Sequence, residues 1–312
     1  MNRKPDNGRS DPALLCLNKK KWTRWVAFFA LAVFLSLTLC KRTDSVSTVK
    51  DVTRIVSCAP SITETLIALG LGEKIVGVTS YCKYPSQMDI QKIGGYSDIN
   101  LEKVVSLRPD VVILQHEHQK QRDFFTQYGI HVISVDNKTT NSICSSFVQI
   151  GYYCGAKNAA DSLARVFSNG LQAKPVLSRA PKVLLCVGRD VPGGGAIQSA
   201  FIVSRATFYN EIIEAAGGEN AYPDSMPHYP RVSREGIIAL APDIIIDLAS
   251  SMSTWSCSTL VADWNSLHML PAVRNSQVFC ISADYATVPG PGILLLCQDL
   301  RKIILSCESK KL

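Results

Sequence analysis

His116 and His118 stand two apart just after an apolar run, Val111-Val-Ile-Leu114. Such a pair at the end of a strand could ligate a metal through neutral imidazoles, or touch a ligand without one. It could equally be structural, because only His131, His228 and His268 remain and His131 opens another apolar run. Arg189 follows Val183-Leu-Leu-Cys-Val187 after a single glycine, Gly188. A loop cation there suits a carboxylate-bearing ligand, or simply faces solvent. Ser61 lacks the Gly-x-Ser-x-Gly setting of a nucleophile elbow. Gly193-Gly-Gly195 lacks the Gly-Lys-Ser/Thr ending of a phosphate loop and reads as a turn that lets a ligand approach the backbone. No His-Glu-x-x-His occurs, although Cys58 and Cys186, at the ends of apolar runs, leave a cluster-binding or enzymatic alternative open. More abundant than reactive groups are aromatic ones: Tyr81, Tyr84, Tyr96, Tyr222, Tyr229 and Trp255 fall in loop-like sequence. Large flat ligands need aromatic walls more than charges.

These residues need elements to carry them. Arg54-Ile-Val-Ser57 predicts a buried strand that ends before Pro60. Ser61-Ile-Thr-Glu64 predicts a capping box, followed by Leu66, Ile67 and Leu69 at helical spacing and stopped by Gly70 and Gly72. Ile75–Val78, Val111–Leu114 and His131–Val135 predict further strands, and Asn100 predicts the cap of a helix that Pro109 terminates. This alternation implies an α/β lobe with a mainly parallel sheet. Ligands of such sheets sit at the carboxyl ends of the strands. The candidate ligand-binding residues are therefore Pro60, Ser61, Tyr81, Tyr96, His116, His118, Arg189, Tyr229, Trp255 and Tyr285.

The pattern occurs twice. Tyr96-Ser-Asp-Ile-Asn-Leu-Glu102-Lys-Val-Val-Ser-Leu-Arg-Pro109-Asp110-Val-Val-Ile113 returns 133 residues later as Tyr229-Pro-Arg-Val-Ser-Arg-Glu235-Gly-Ile-Ile-Ala-Leu-Ala-Pro242-Asp243-Ile-Ile-Ile246, with six of eighteen positions identical. Glu64-Thr-Leu-Ile-Ala-Leu-Gly70 is likewise echoed by Glu211-Ile-Ile-Glu-Ala-Ala-Gly217. Two copies of one unit imply two similar lobes with a cleft between them. Residues 140–179 hold only helical patterning, divided near Gly151 and Gly155, so the lobes are joined by helix rather than by extended strands. The expected organisation is 1–40 signal or membrane-anchor segment, 41–51 tether, 52–139 N-terminal lobe, 140–180 helical connection and 181–312 C-terminal lobe.

The formal charge of +7 is concentrated at the start. Residues 1–39 hold seven basic and two acidic residues; the remaining 26 basic and 24 acidic residues leave +2, which excludes an electrostatic case for nucleic acid. Lys19 to Arg24 followed by about fifteen apolar residues resembles a secretory signal. Leu37-Thr-Leu-Cys40 resembles a lipoprotein cleavage box, with Cys40 as the lipidation candidate; an uncleaved anchor and plain secretion are the alternatives. Nine cysteines follow Cys40, most of them expected as small buried hydrophobes rather than as a dense disulfide framework.

The chain resembles the helical-backbone (class III) substrate-binding proteins of bacterial ABC importers, of the cobalamin, iron-siderophore and haem type. The resemblance spans about residues 52–305. It rests on Arg54-Ile-Val-Ser-Cys-Ala-Pro-Ser-Ile-Thr-Glu64, Ile75-Val-Gly-Val-Thr-Ser-Tyr81, the repeated unit, Ala216-Gly-Gly-Glu-Asn220 and Pro289-Gly-Pro-Gly292. It implies an α/β fold of two lobes joined by a long helix, with no enzymatic activity and no resident cofactor. It also implies capture of a corrinoid or ferric siderophore, with haem or a metal ion as alternatives, and delivery to permease and ATPase subunits. Within that family an exposed Glu on each lobe docks onto permease arginines, which implies such a role for Glu102 and Glu235. A sensor or adhesin on the same fold is the alternative from another class. The cobalamin branch usually carries Arg after Pro-Gly-Pro, where this chain has Gly292.

Overall fold

The computed structural model describes residues 51–226, 229–249 and 254–309; the expected signal or anchor segment, Cys40, nearly all of the expected tether, His228, Ser250 and Ser251 lie outside the described residues. In the first lobe, the chain runs β1 (Ile55–Ser57), α1 (Pro60–Ala68), β2 (Ile75–Val78), β3 (Gln91–Lys92), α2 (Leu101–Ser106), β4 (Val111–Gln115), α3 (Gln119–Gln127) and β5 (His131–Val135). The strands form one parallel sheet in the order β3-β2-β1-β4-β5. Ile55, Val111, Ile113, Ile133 and Val135 pack on one face, and Val56, Val112, Leu114 and Phe125 on the other. Burial on both faces explains why these strands are unbroken apolar runs.

The connection is a helical hairpin of α4 (Thr140–Tyr153) and α5 (Lys157–Gln172), divided at Gly155, which takes φ +79°. Its arms pack closely: a Cβ on Gly151 would lie 2.3 Å from the Ala160 Cβ, and the Phe147 and Phe167 rings meet edge to face at 5.3 Å. The hairpin belongs to both cores. Ile150, Cys154 and Ala160 pack with the first lobe, whereas Ile143, Phe147 and Phe167 pack with the second.

The second lobe runs β6 (Lys182–Arg189), β7 (Ser199–Ile202), α6 (Phe208–Ala215), β8 (Glu219–Asn220), β9 (Arg231–Ser233), α7 (Arg234–Leu240), β10 (Ile244–Ala249), α8 (Cys257–Asp263), α9 (Pro271–Arg274), β11 (Val278–Ser282) and α10 (Ile293–Ser309). Its sheet has the order β11-β10-β6-β7-β9, with β8 also on β6. The β6, β10, β11 and β8 pairings are parallel, as expected, but β6/β7 and β7/β9 are antiparallel. The glycine-rich turn after β6 reverses the chain into β7, a strand that the helical and apolar periodicities did not reveal.

The repeat extends to backbone detail. Arg108 and Ala241, equivalent residues before Pro109 and Pro242, take φ +47° and +44°. Asp110 Oδ2 then accepts from the backbone N–H groups of Thr53 and Arg54, and Asp243 Oδ2 accepts from that of Lys182. Each Pro-Asp pair thereby pins the first strand of its lobe. Gly70 and Gly217 end the equivalent first helices at φ +74° and +97°, a left-handed conformation that glycine adopts without a Cβ penalty.

Of the nine cysteines in the described part, Cys257 and Cys280 form a disulfide; of the other seven, none of them disulfide-bonded, only Cys144 is not buried.

Candidate ligand cleft

The carboxyl ends of the two sheets face each other. Lys83, beyond β2, meets Asp284, beyond β11, at 2.6 Å. Between these ends lies a cavity of about 360 Å³, lined by Pro60, Glu64, Ile67, Tyr81 and Lys83 of the first lobe and Asp284, Thr287 and Val288 of the second. A second cavity, of about 300 Å³, lies at the opposite edge of the second lobe. Its polar groups are already used: Arg179 pairs with Asp243 at 2.9 Å, and Glu308 accepts from Ser178 at 2.6 Å. The interlobe cavity is the candidate site.

Glu64 is its most unusual group. The sequence suggests a capping box with Ser61 as N-cap, but α1 begins two residues earlier than that, with Pro60 at its first position and Ala59 at the uncapped N-cap. Proline suits that position because its missing N–H would be unpaired there anyway. Ser61 instead accepts from Gln115 Nε2 at 2.9 Å within the first lobe, and Glu64 reaches toward the second. A Cβ on Gly290 or Gly292 would lie 2.5 Å from a Glu64 carboxylate oxygen. This close approach leaves no room for a side chain at position 292. Burial pushes the Glu64 pKa up to about 7; the Gly292 N–H opposes that shift and the Asp284 charge adds to it. Glu64 Oε2 is buried without a hydrogen-bond partner.

Pro60 and Tyr81 line the cavity, and Tyr81 is largely exposed. The other candidate residues are placed differently. His116 is exposed, but His118 is turned inward at 6% exposure. The His118 ring meets Tyr96 edge to face at 4.6 Å, and the Tyr96 hydroxyl donates to Glu117. The His-x-His pair is therefore split between solvent and core. Among the described residues no cluster of three His, Cys, Asp or Glu is placed to hold a metal. Tyr285 donates its hydroxyl to Asp299 Oδ2 at 2.5 Å and packs on its own lobe. Its neighbour Asp284 is the group that reaches across.

Arg189 requires a correction. It is not a cation offered to ligand: its side chain is 3% exposed, paired with Asp247 and with Asp263 at 2.8 Å. An unpaired guanidinium would be too costly to bury, and the two aspartates, invisible as partners in a linear sequence, make its burial possible. Tyr229 is partly exposed beside Tyr209, with ring centroids 6.0 Å apart, and Trp255 is 44% exposed. Glu102 and Glu235 are both exposed in the first turns of α2 and α7, behind the equivalent caps Asn100 and Ser233. The Glu235 carboxyl is held below its ordinary range by its own backbone N–H, with a smaller effect of Ser233.

Sequence reasoning missed Glu64, Lys83 and Asp284 as a group, because a capping box assigns Glu64 a local role and Lys83 and Asp284 lie 201 residues apart. One signal was available: glycine at 292, where the resemblance implies a side chain.

The family model described as periplasmic binding protein matches residues 55–285. The chain belongs to the periplasmic binding protein family. It is a substrate-binding protein rather than an enzyme, and its family is exported. It is 27% identical over 263 residues to the vitamin B12-binding protein of Vibrio parahaemolyticus serotype O3:K6, covering 83% of this chain and 90% of that protein. It is 26% identical over 265 residues to the vitamin B12-binding protein of Pectobacterium atrosepticum, covering 83% and 92%. Among solved structures, the periplasmic vitamin B12 binding protein BtuF of Vibrio cholerae superposes with a TM-score of 0.68 at 23% identity, over 82% of this chain and 98% of that one. The haem-binding protein BhuT in complex with two haems gives 0.68 at 23% identity, over 81% and 98%. These structures bear out the two-lobed α/β fold. Among the described residues no helix is long and apolar enough to cross a membrane.

Proposed function

We propose that this protein captures a corrinoid, cobalamin foremost, in the cleft between its lobes and delivers it to the permease of an ABC importer. The observation that carries this reading is the cavity between the facing carboxyl ends of the two sheets, lined from both lobes. The vitamin B12-binding relatives, matched over most of their length, supply the ligand class. Haem is the second reading, favoured by the exposed His116 and by haem-binding neighbours of equal structural similarity. A ferric siderophore ranks lower, because Arg189, the cation that suggested it, is spent in buried ion pairs. The test is a titration of purified protein with cyanocobalamin, haemin and several ferric siderophores, read by tryptophan and tyrosine fluorescence. Saturable binding of cyanocobalamin alone is the expected result; binding of haemin alone replaces the corrinoid reading.

Glu102 and Glu235, exposed at equivalent helix starts on the two lobes, serve in this reading as the permease-docking pair. Residues 1–40 export the chain, and Cys40 is its site of lipidation. Intact-mass analysis of the membrane-associated form checks this: retention of residues 1–39 without lipid replaces lipidation with an uncleaved anchor.

A further inference from the structure

The ion cluster around Arg189 has a second side. Asp263, 2% exposed, accepts from the Gly193 N–H at 2.7 Å and the Gly195 N–H at 2.8 Å. Arg189 donates to the same carboxylate at 2.8 Å and to the Leu260 carbonyl at 2.7 Å. A buried carboxylate needs such a partner; once paired, Asp263 can hold both ends of the glycine turn. That turn lies against Trp255. A Cβ on Gly193 would stand 2.5 Å from Cζ3 and 2.6 Å from Cε3 of the indole. The glycine therefore makes room for tryptophan, where the sequence alone suggested room for ligand. Two residues beyond Trp255, Cys257 is tied by its disulfide to Cys280 of β11. Gly193 and Trp255 follow the carboxyl ends of β6 and β10, which are adjacent strands, at the sheet edge from which Asp284 reaches Lys83.

We propose that Gly193 and Asp263 are positioning residues that seat Trp255 as an aromatic platform on the second lobe's side of the cleft, for a planar ring-bearing ligand. The proposal rests on the cleft reading above. An indole pressed onto a backbone held by buried hydrogen bonds has little freedom left to lose when a ring stacks on it.

Gly193 and Gly195 form a matched pair for the test. Their φ angles are +73° and +76°, so alanine is strained alike at both, yet only a Cβ at 193 meets Trp255; at 195 it meets open space. The full-length chain is compared as wild type, Gly193→Ala, Gly195→Ala and Trp255→Ala. Iodide quenching, with Trp255→Phe counterparts subtracted, isolates Trp255 from the other three tryptophans. Cyanocobalamin and haemin are the ligand probes. Gly193→Ala and Trp255→Ala are expected to weaken binding about tenfold, and Gly193→Ala alone to increase quenching, with Gly195→Ala close to wild type. Equal behaviour of the two glycine variants in quenching overturns the seat. Unchanged affinity of Trp255→Ala for a probe that wild type binds overturns the platform. Failure of wild type to bind either probe counts against the cleft reading instead, while the quenching comparison still decides whether Gly193 seats Trp255. Asp263→Asn is less useful, because it leaves Arg189 with only Asp247 and threatens folding.

Discussion

Glu64 and Glu211 are repeat-equivalent side chains with unequal surroundings. Glu211 Oε2 accepts from the Thr140 N–H at 2.8 Å and from the Thr140 hydroxyl, where α4 begins. Glu64 receives the Gly292 N–H, where α10 begins, but its second buried oxygen has no partner. An acid raised from 4.5 to about 7 favours the folded state while protonated. That contribution is fully present below pH 4.5 and is lost as pH rises through 7. Glu64→Gln keeps an acceptor for the Gly292 N–H and cannot ionise. It should match wild-type stability near pH 4.5 and exceed it at pH 8, by at most about 3 kcal/mol. Urea denaturation at both pH values checks this, and a variant less stable than wild type at pH 8 refutes it.

The helical hairpin shows packing overriding propensity at the scale of elements. Alanine favours helix over glycine by roughly 1 kcal/mol, so Gly151→Ala in α4 would stabilise an isolated helix. Here the new Cβ would lie 2.3 Å from the Ala160 Cβ. Overpacking of this kind costs about 1–3 kcal/mol, so the variant should unfold at lower temperature than wild type. Strands buried on both faces, the capped helix at Asn100 and the Pro-Asp repeat were legible, because apolar runs and caps are local signals. The β7 arm was not, because Ser199-Ala-Phe-Ile has no distinctive periodicity and pairs only through a reversal at Gly193–Gly195. The cavity was half legible: Pro60 and Tyr81 follow from the carboxyl-end rule. Glu64, Lys83 and Asp284 meet only across 200 residues of chain, as the separation of Lys83 and Asp284 illustrates. Arg189 misled for the same reason, its partners lying 58 and 74 residues away.

Exposed acids at the starts of α2 and α7 belong to the same scale. If Glu102 and Glu235 act only on their own helices, glutamine at both should leave uptake unchanged. As a docking pair, the double substitution should reduce uptake in cells carrying the cognate permease more than either single one, since exposed ion pairs contribute little singly. Ligand affinity of the purified double variant should stay within about twofold of wild type. Normal uptake by the double variant removes the docking role.

Residues Lys50–Leu312 form one compact unit, and the hairpin explains why two lobes behave as one. A hinge needs a few residues that turn freely between two rigid bodies. Here α4 and α5 each donate side chains to both cores, so opening the lobes widely would pull Ile150 from one core or Phe147 from the other. Removing a large apolar side chain from a core costs about 2–5 kcal/mol, and a ligand can shift an equilibrium only by its differential affinity for the two states. The contact between Lys83 and Asp284 is weaker, with side chains 55% and 46% exposed. Screened by solvent, it can yield locally to admit ligand. Motion should therefore be confined to the mouth of the cleft. A body of this length has a radius of gyration of about 18 Å, and small-angle scattering should change by less than about 1 Å on saturation with ligand. Lys83→Met should accelerate ligand entry about two- to threefold in stopped-flow fluorescence without altering that radius. A compaction of several ångströms on binding would mean that the hairpin bends, and would remove the shared-core argument.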